Sequence, residues 1–304
     1  MKRLMLGAAL AAGCTGLVLG GAAVAPAAAA SPAAAGHVSR AAVEHMITSH
    51  VTMPLVRAHT SHSKGVRGVS NEPYPTISLN WSGYAATSTK PFTYVHTQFA
   101  QPAIKCTGNP SQYTSNWSGL DGYTNGTVEQ DGTFAWCAGA KAMTPVYYAW
   151  YEMFPAGSVI TFPVKPGDEI SSSVKYTGGK FHLTIADLTS GKSYTKVASC
   201  SSCQRTSAEW IIERPANCNL KKNTCWIYEL ADFGTSTMKD NVAQIGSGKV
   251  TGINGFANNY PIWIVQPYKN GKGYKTLDTV GAVSSGNSFT AVWDRPGSTV
   301  PIQL

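Results

Sequence analysis

Charge is what this 304-residue chain has least of, with Asp, Glu, Lys and Arg together at 13%, about half the roughly 25% usual in globular proteins. A fold that leans so little on carboxylate ion pairs has little to lose when acid protonates them, so the composition suits an acidic medium. Histidine is scarce as well. After residue 71 only His96 and His182 remain, and neither lies near a Gly-x-Ser-x-Gly elbow. A Ser/His/Asp triad therefore lacks its base, and a cysteine nucleophile lacks its partner. There is no His-Glu-x-x-His and no Asp/Asn-rich calcium loop, so neither a metal nor a cofactor is expected. Asp121-Gly122 and Asp131-Gly132-Thr133 do not supply the paired Asp-Thr/Ser-Gly settings of an aspartic protease. Past the N-terminal segment no apolar run approaches about 18 residues, which gives no reason to expect a membrane partner.

The formal charge of +8 is uneven. Residues 1–71 carry six Lys/Arg against Glu44 alone, giving +5, while 72–304 carry 18 against 15, giving +3. The main domain has no stripe of Lys/Arg interleaved with aromatics, so nucleic acid is not an expected partner. Lys2 and Arg3, the apolar run Leu4–Val24 and the Ala-Pro-Ala-Ala-Ala-Ala that follows have the three-part form of a secretory signal over 1–30, and the mature protein is expected outside the cell. Cys14 follows Leu-Ala-Ala-Gly, but apolar and small residues continue well past it, which argues against a lipid anchor there.

Residues 31–71 are rich in Ala, His, Arg, Ser and Val, and hold five of the seven histidines: His37, His45, His50, His59 and His62. This composition reads as a propeptide that covers the mature domain near neutral pH, acts as its inhibitor, and leaves when its histidines charge below their unperturbed pKa of about 6.5. A disordered export linker is the plainer alternative.

Removal of the signal leaves Cys106, Cys137, Cys200, Cys203, Cys218 and Cys225, an even number in an exported chain, so three disulfides are expected. Spacing does not fix their connectivity. Local pairing of Cys200 with Cys203 and of Cys218 with Cys225 would leave Cys106 with Cys137. The C-x2-C-x14-C-x6-C spacing also fits a zinc site or a redox pair, which an oxidising compartment disfavours.

From Tyr74 onward strand signals alternate with turns, and no amphipathic helix exceeds about two turns. The clearest strands are 77–87, 146–154, 169–176, 180–188, 193–198, 208–213, 226–230, 263–266 and 289–293. Thr177-Gly178-Gly179 and Ser190-Gly191-Lys192 are hairpin punctuation. The expected fold is all-β: a sandwich of two antiparallel sheets (jelly-roll or concanavalin-like) forming one catalytic domain over 72–304.

Within it, Ser207-Ala208-Glu209-Trp210-Ile211-Ile212-Glu213-Arg214-Pro215 stands out, because it puts carboxylates into a strand that otherwise reads as buried. Period-2 alternation sends Ala208, Trp210 and Ile212 to one face and Ser207, Glu209, Ile211 and Glu213 to the other. A carboxyl held beside apolar surface resists ionisation and becomes usable for proton transfer. A solvated face with two glutamates is the plainer reading of the strand alone.

Five strings in order resemble the eqolisins, the glutamic peptidases of family G1: Asn80-Trp81-Ser82-Gly83, Trp117-Ser118-Gly119-Leu120-Asp121-Gly122, Val128-Glu129-Gln130-Asp131-Gly132, Ala149-Trp150-Tyr151-Glu152-Met153-Phe154-Pro155 and Ala208-Glu209-Trp210-Ile211-Ile212-Glu213. The resemblance spans about 80–235. It implies a secreted, acid-active endopeptidase acting on polypeptide substrates, with a glutamate and a glutamine as its catalytic pair. We assign those roles to Glu209 and Gln130. Glu209 would take a proton from water and return it to the leaving nitrogen, while Gln130, which does not titrate, would donate to the oxyanion. The resemblance also implies substrate-subsite walls at Trp81, Trp117 and Trp150, with Asp121 and Glu152 as polar support beside the cleft. For each tryptophan ordinary core packing is an equal alternative.

Fungal members carry an acidic residue a few positions after the Gln and a Tyr near the end of the Trp-Tyr-Glu strand. Phe134 and Phe154 stand there in this chain, and Asp131 is the candidate substitute for the acid. Residues 236–304 read as closing strands, and a monomer is expected. The main rival is a carbohydrate-binding sandwich, for which eight Trp and 14 Tyr could form stacking platforms. Glycoside hydrolysis is a third reading and would need a second acid near Glu209, with Glu152 the candidate.

Overall fold

A computed structural model describes residues 50–58, 75–107, 111–139, 143–219, 222, 224–270 and 272–303. The signal segment and four of the five N-terminal histidines lie outside those residues, and of His50 only the backbone is described.

The described chain is built from strands, with a single short 3-10 turn at Ile253–Gly255. In chain order they are β1 His50–Val51, β2 Thr76–Ser78, β3 Trp81–Thr87, β4 Phe92–Ala100, β5 Gln112–Leu120, β6 Val128–Ala138, β7 Thr144–Phe154 and β8 Val159–Pro163. There follow β9 Glu169–Thr177, β10 Lys180–Asp187, β11 Lys192–Ala198, β12 Ser207–Glu213, β13 Ala216–Asn219, β14 Thr224–Ile227 and β15 Glu229–Leu230. The chain closes with β16 Thr235–Ile245, β17 Thr251–Gly252, β18 Asn259–Pro267, β19 Tyr274–Thr276, β20 Asp278–Val280, β21 Phe289–Trp293 and β22 Val300–Gln303.

Two large sheets, antiparallel apart from the short parallel contacts of β2 and β15, form the expected sandwich. One has the order β19-β18-β3-β12-β5-β6-β7-β8, and the other β11-β10-β9-β4-β16-β21-β20. Phe99, Ile170, Val174, Phe181, Leu183 and Ile185 of the second sheet pack against Ala208, Trp210 and Ile212 of the first. Trp210 reaches through this layer to donate its indole N–H to the His96 carbonyl at 2.8 Å. The tight Thr177–Lys180 hairpin closes because Gly178 and Gly179 take φ of 58° and 75°, which side chains resist.

The first sheet is buried on its other face as well. There Trp81, Trp117, Phe134, Trp150 and Ile211 form a second apolar cluster with Met53. Part of the cover is a small sheet, β1-β13-β14-β22, and part is the segment Thr52–Ala58, here called the strap. This double burial explains why β5, β6 and β12 are buried along their whole length. The disulfides join Cys106 to Cys137, Cys200 to Cys203 and Cys218 to Cys225, the last bracing the β13–β14 ribbon.

Candidate functional site

Alternation along β12 places Ile211, and with it Glu209 and Glu213, on the strap side of the first sheet, while Trp210 enters the inter-sheet core. Register then sets the neighbours. Glu209 is paired with Gly119 on β5, Gly119 with Gln130 on β6, and Gln130 with Glu152 on β7. Three of the expected site residues thus share one cross-sheet row, and Gly119 leaves a side-chain-free step between Glu209 and Gln130. Nothing larger fits there: a Cβ on Gly119 would come within 2.9 Å of Trp117 Cζ3 and 3.0 Å of Gln130 Cβ.

The polar side chains that meet are those touched by the strap. Gln130 donates from Nε2 to Thr52 Oγ1 at 2.5 Å and to Glu152 Oε2 at 2.9 Å. The Thr52 hydroxyl donates to the same carboxylate oxygen. One residue further on, Met53 N–H donates to Glu213 Oε1 at 3.0 Å. Glu213 is further held by Trp117 Nε1 on Oε2 at 2.9 Å and by Asn80 Nδ2 on Oε1 at 3.3 Å. Consecutive residues of one strap therefore engage Gln130 and Glu152 on one side and Glu213 on the other. Gln130, Glu152 and Glu213 are all buried, and Gln130 Oε1 has no hydrogen-bond partner among the described residues.

Glu209 lies apart from this meeting point. Neither of its oxygens makes a hydrogen bond by distance and angle among the described residues, although Ser207 is close enough to oppose the rise in its pKa. Its charged neighbours are Asp121 and Glu129. Glu152 is three strands away in the shared row, so no second acid adjoins Glu209 from that side.

The other expected site residues divide. Trp117 and Trp81 meet edge to face at 4.9 Å, and Trp150 stacks on Phe134 at 4.7 Å, so all three tryptophans are packed, while Trp117 also holds Glu213. Phe134 thus fills a packing position and carries no polar support. Asp131 does not replace that support. It follows Gln130 by one residue, so its side chain points between the sheets, where it accepts from Ser173 N–H at 3.1 Å. Asp121, at φ 69°, accepts from the backbone N–H groups of Gln204, Arg205 and Thr206 at 2.6–2.8 Å and so fixes the turn that enters β12. Cys200 and Cys203 lie near Glu129, but their sulfurs are joined and are not thiolates.

Sequence reasoning overlooked four contributors. Thr52 and Met53 carry no motif. Asn80, read only as part of a string, donates to Glu213 and to the Met53 and Pro54 carbonyls. Arg214 is fully buried and donates to the carbonyls of Tyr228, Leu79 and Ser298 at 2.7–3.2 Å, pinning the end of β12 just beyond Glu213.

Burial dominates the ionisation of these carboxyls. It pushes Glu152 up to about 8 and Glu129 to about 9, and it lifts Glu209, Glu213 and Asp131 well above the ordinary carboxylate range. Asp278, which accepts from the Ser82 hydroxyl, is raised to about 7 by burial. In each case the folded chain keeps a proton that the unfolded chain loses near 4, so the native state binds more protons across the interval between. Stability from these groups is complete below about pH 4 and is lost as pH rises towards 7–9. The melting temperature of the full chain is expected to fall by about 10 °C or more from pH 4 to pH 8, given roughly 2–4 °C per kcal/mol at this size. A flat or rising curve in calorimetry would contradict this assignment.

Comparison with known proteins bears on what such a site does. The model of the Peptidase A4 family matches residues 79–291. Scytalidopepsin B of Scytalidium lignicola is 30% identical over 191 residues, which cover 60% of this chain and 70% of that protein. Among solved structures, scytalido-glutamic peptidase with a transition state analog inhibitor is similar with a TM-score of 0.60 at 24% identity, covering 71% of this chain and 98% of that one. SCP-B, a member of the eqolisin family of peptidases in a complex with the tripeptide Ala-Ile-His, gives a TM-score of 0.57 at 23% identity over the same shares. At these identities the two structures speak for the fold.

Proposed function

This chain belongs to the Peptidase A4 family and is a glutamic peptidase, and on that premise we propose that it is a secreted, acid-active endopeptidase whose working pair is Glu213 and Gln130, with residues 31–71 as a propeptide that blocks the cleft. The observation that carries this reading is the strap, whose Thr52 and Met53 put one extended peptide between Gln130 and Glu213. The sequence assigned the carboxylate role to Glu209. We give it to Glu213 because that side chain already touches a peptide N–H, and a proton must reach a peptide nitrogen for the bond to break.

The steps follow from the donors and acceptors present. With the strap gone and water admitted, Glu213 returns towards ordinary carboxylate acidity, and its ionised form can remove a proton from water. The water oxygen bonds to the substrate carbonyl carbon, and Gln130 Nε2–H donates to the oxyanion that develops. Glu213 then passes its proton to the nitrogen as the C–N bond breaks, which leaves a carboxylic acid, an amine and the carboxylate restored. Trp117 and Asn80 hold the carboxylate in place throughout, and Glu152 fixes the Gln130 amide, whose Oε1 remains available to orient the water. Under the strap the same carboxyl keeps its proton and cannot act as a base, which adds to the steric block.

The test is substrate class. Acid-processed protein given denatured casein and, in a parallel reaction, polysaccharide at pH 3–5 is expected to cleave only the casein. Cleavage of polysaccharide, or of neither, would refute the proposal.

A further inference from the structure

The strap enters the cleft as a peptide would, yet its polar contacts are not those of a bond about to be cut. Gln130 Nε2, the donor suited to an oxyanion, is engaged by the Thr52 side-chain oxygen and by Glu152 Oε2, and neither contact is to the Thr52 main-chain carbonyl. The hydroxyl in turn donates to Glu152, so the oxygen that accepts from the amide, where an oxyanion would accept, belongs to a side chain that a carboxyl holds in place. Thr52 has no exposed surface and Met53 almost none, at 2%, which leaves no room for a separate water. The rest of the strap holds that residue in register. Met53 packs its sulfur 3.6 Å from Cys218 Sγ, Leu55 N–H donates to Gly122 O at 3.0 Å, Val56 N–H donates to Asn80 Oδ1 at 2.8 Å, and the Arg57 guanidinium lies 5.1 Å from the Tyr123 ring centre.

We propose that the Thr52 hydroxyl occupies the place of the oxyanion on Gln130 Nε2, so that this cleft takes an extended peptide with a hydroxyl side chain there, followed by an unbranched apolar residue, as a ligand it holds uncut. The inference rests on the peptidase reading above and adds to it the chemical class of its inhibitors. Serine at position 52 preserves the oxygen, whereas valine keeps the shape and removes it.

The experiment uses the full chain, purified as precursor, in wild-type, Thr52→Ser, Thr52→Val and Thr52→Ala forms. Each is assayed on a fluorogenic peptide during the first minutes at pH 4, with intact mass confirming that the precursor is uncut. Wild type and Thr52→Ser are expected to stay latent. Thr52→Val and Thr52→Ala are expected to cleave about 10- to 100-fold faster, the effect of losing one or two buried hydrogen bonds. Valine and alanine precursors as latent as wild type, with unchanged melting temperatures, would overturn the proposal. So would a fragment ending at Thr52 released by wild type but not by Glu213→Gln. After full processing all four chains should cleave casein equally. Absence of that cleavage in every chain would overturn the peptidase reading and the plug with it, a result distinct from equal processed activity with latent valine and alanine precursors.

Discussion

Glu213→Gln is expected to reduce casein cleavage by the processed protein by at least about 10³-fold, because one side chain is asked to serve as both base and acid and either role alone is worth about 10²–10⁴. The substitution keeps shape and volume. Met53 N–H and Trp117 Nε1 bond to different oxygens of Glu213, and a glutamine can accept from only one of them through its single carbonyl oxygen, so at pH 4, where the native carboxyl is already protonated, the precursor should lose about one hydrogen bond of stability, about 1 kcal/mol, and stay folded. At pH 8 the same variant should be more stable than wild type, since it removes a group that must either keep its proton or bury a charge. Loss of activity together with loss of fold would not fit this account, and neither would full activity.

Gln130→Ala is expected to lower kcat by about 10²–10³ with a smaller effect on KM, the pattern of a donor whose bond to the carbonyl oxygen strengthens only as that oxygen becomes charged. The cavity left beside Glu152 removes the amide that donates to Oε2 at 2.9 Å, so some stability should be lost in the precursor as well. Measuring kcat and KM separately on a fluorogenic peptide distinguishes the cases. A rise in KM alone would mean that Gln130 only helps to bind the substrate.

Much of the sandwich was legible because its second sheet is conventional. Strands β9 and β10 alternate, and Gly-Gly or Gly-Lys turns separate β9, β10 and β11, so pattern and turn chemistry agree. Strands β5 and β6 were missed for a physical reason. Their sequences mix Thr, Ser, Asn, Glu, Gln and Asp on both faces, and no period-2 contrast survives when one face bonds to the other sheet and the other face lines a polar site. Strand β12 was legible, including the sharing of one face by Glu209 and Glu213.

Which of the two glutamates meets Gln130 was not legible, because the answer depends on contacts distant in sequence. The Trp117 ring edge lies over Gly119, the cross-strand neighbour of Glu209, and Trp81 reaches towards Gly122 beyond it, while the Trp117 N–H is directed at Glu213. The register row favours Glu209, whereas the strap favours Glu213. A contact between residues 53 and 213 has no local signature. The strap itself, read as part of a His-rich segment, gave no sign that a threonine among small and apolar residues would meet the carboxyl cluster.

The choice between the two glutamates is open to one comparison: casein cleavage at pH 4 by processed Glu209→Gln and Glu213→Gln, side by side with wild type at matched folded concentration. The account predicts that Glu209→Gln stays within about tenfold of wild type while Glu213→Gln falls by about 10³-fold or more. An inactive Glu209→Gln beside an active Glu213→Gln would contradict it.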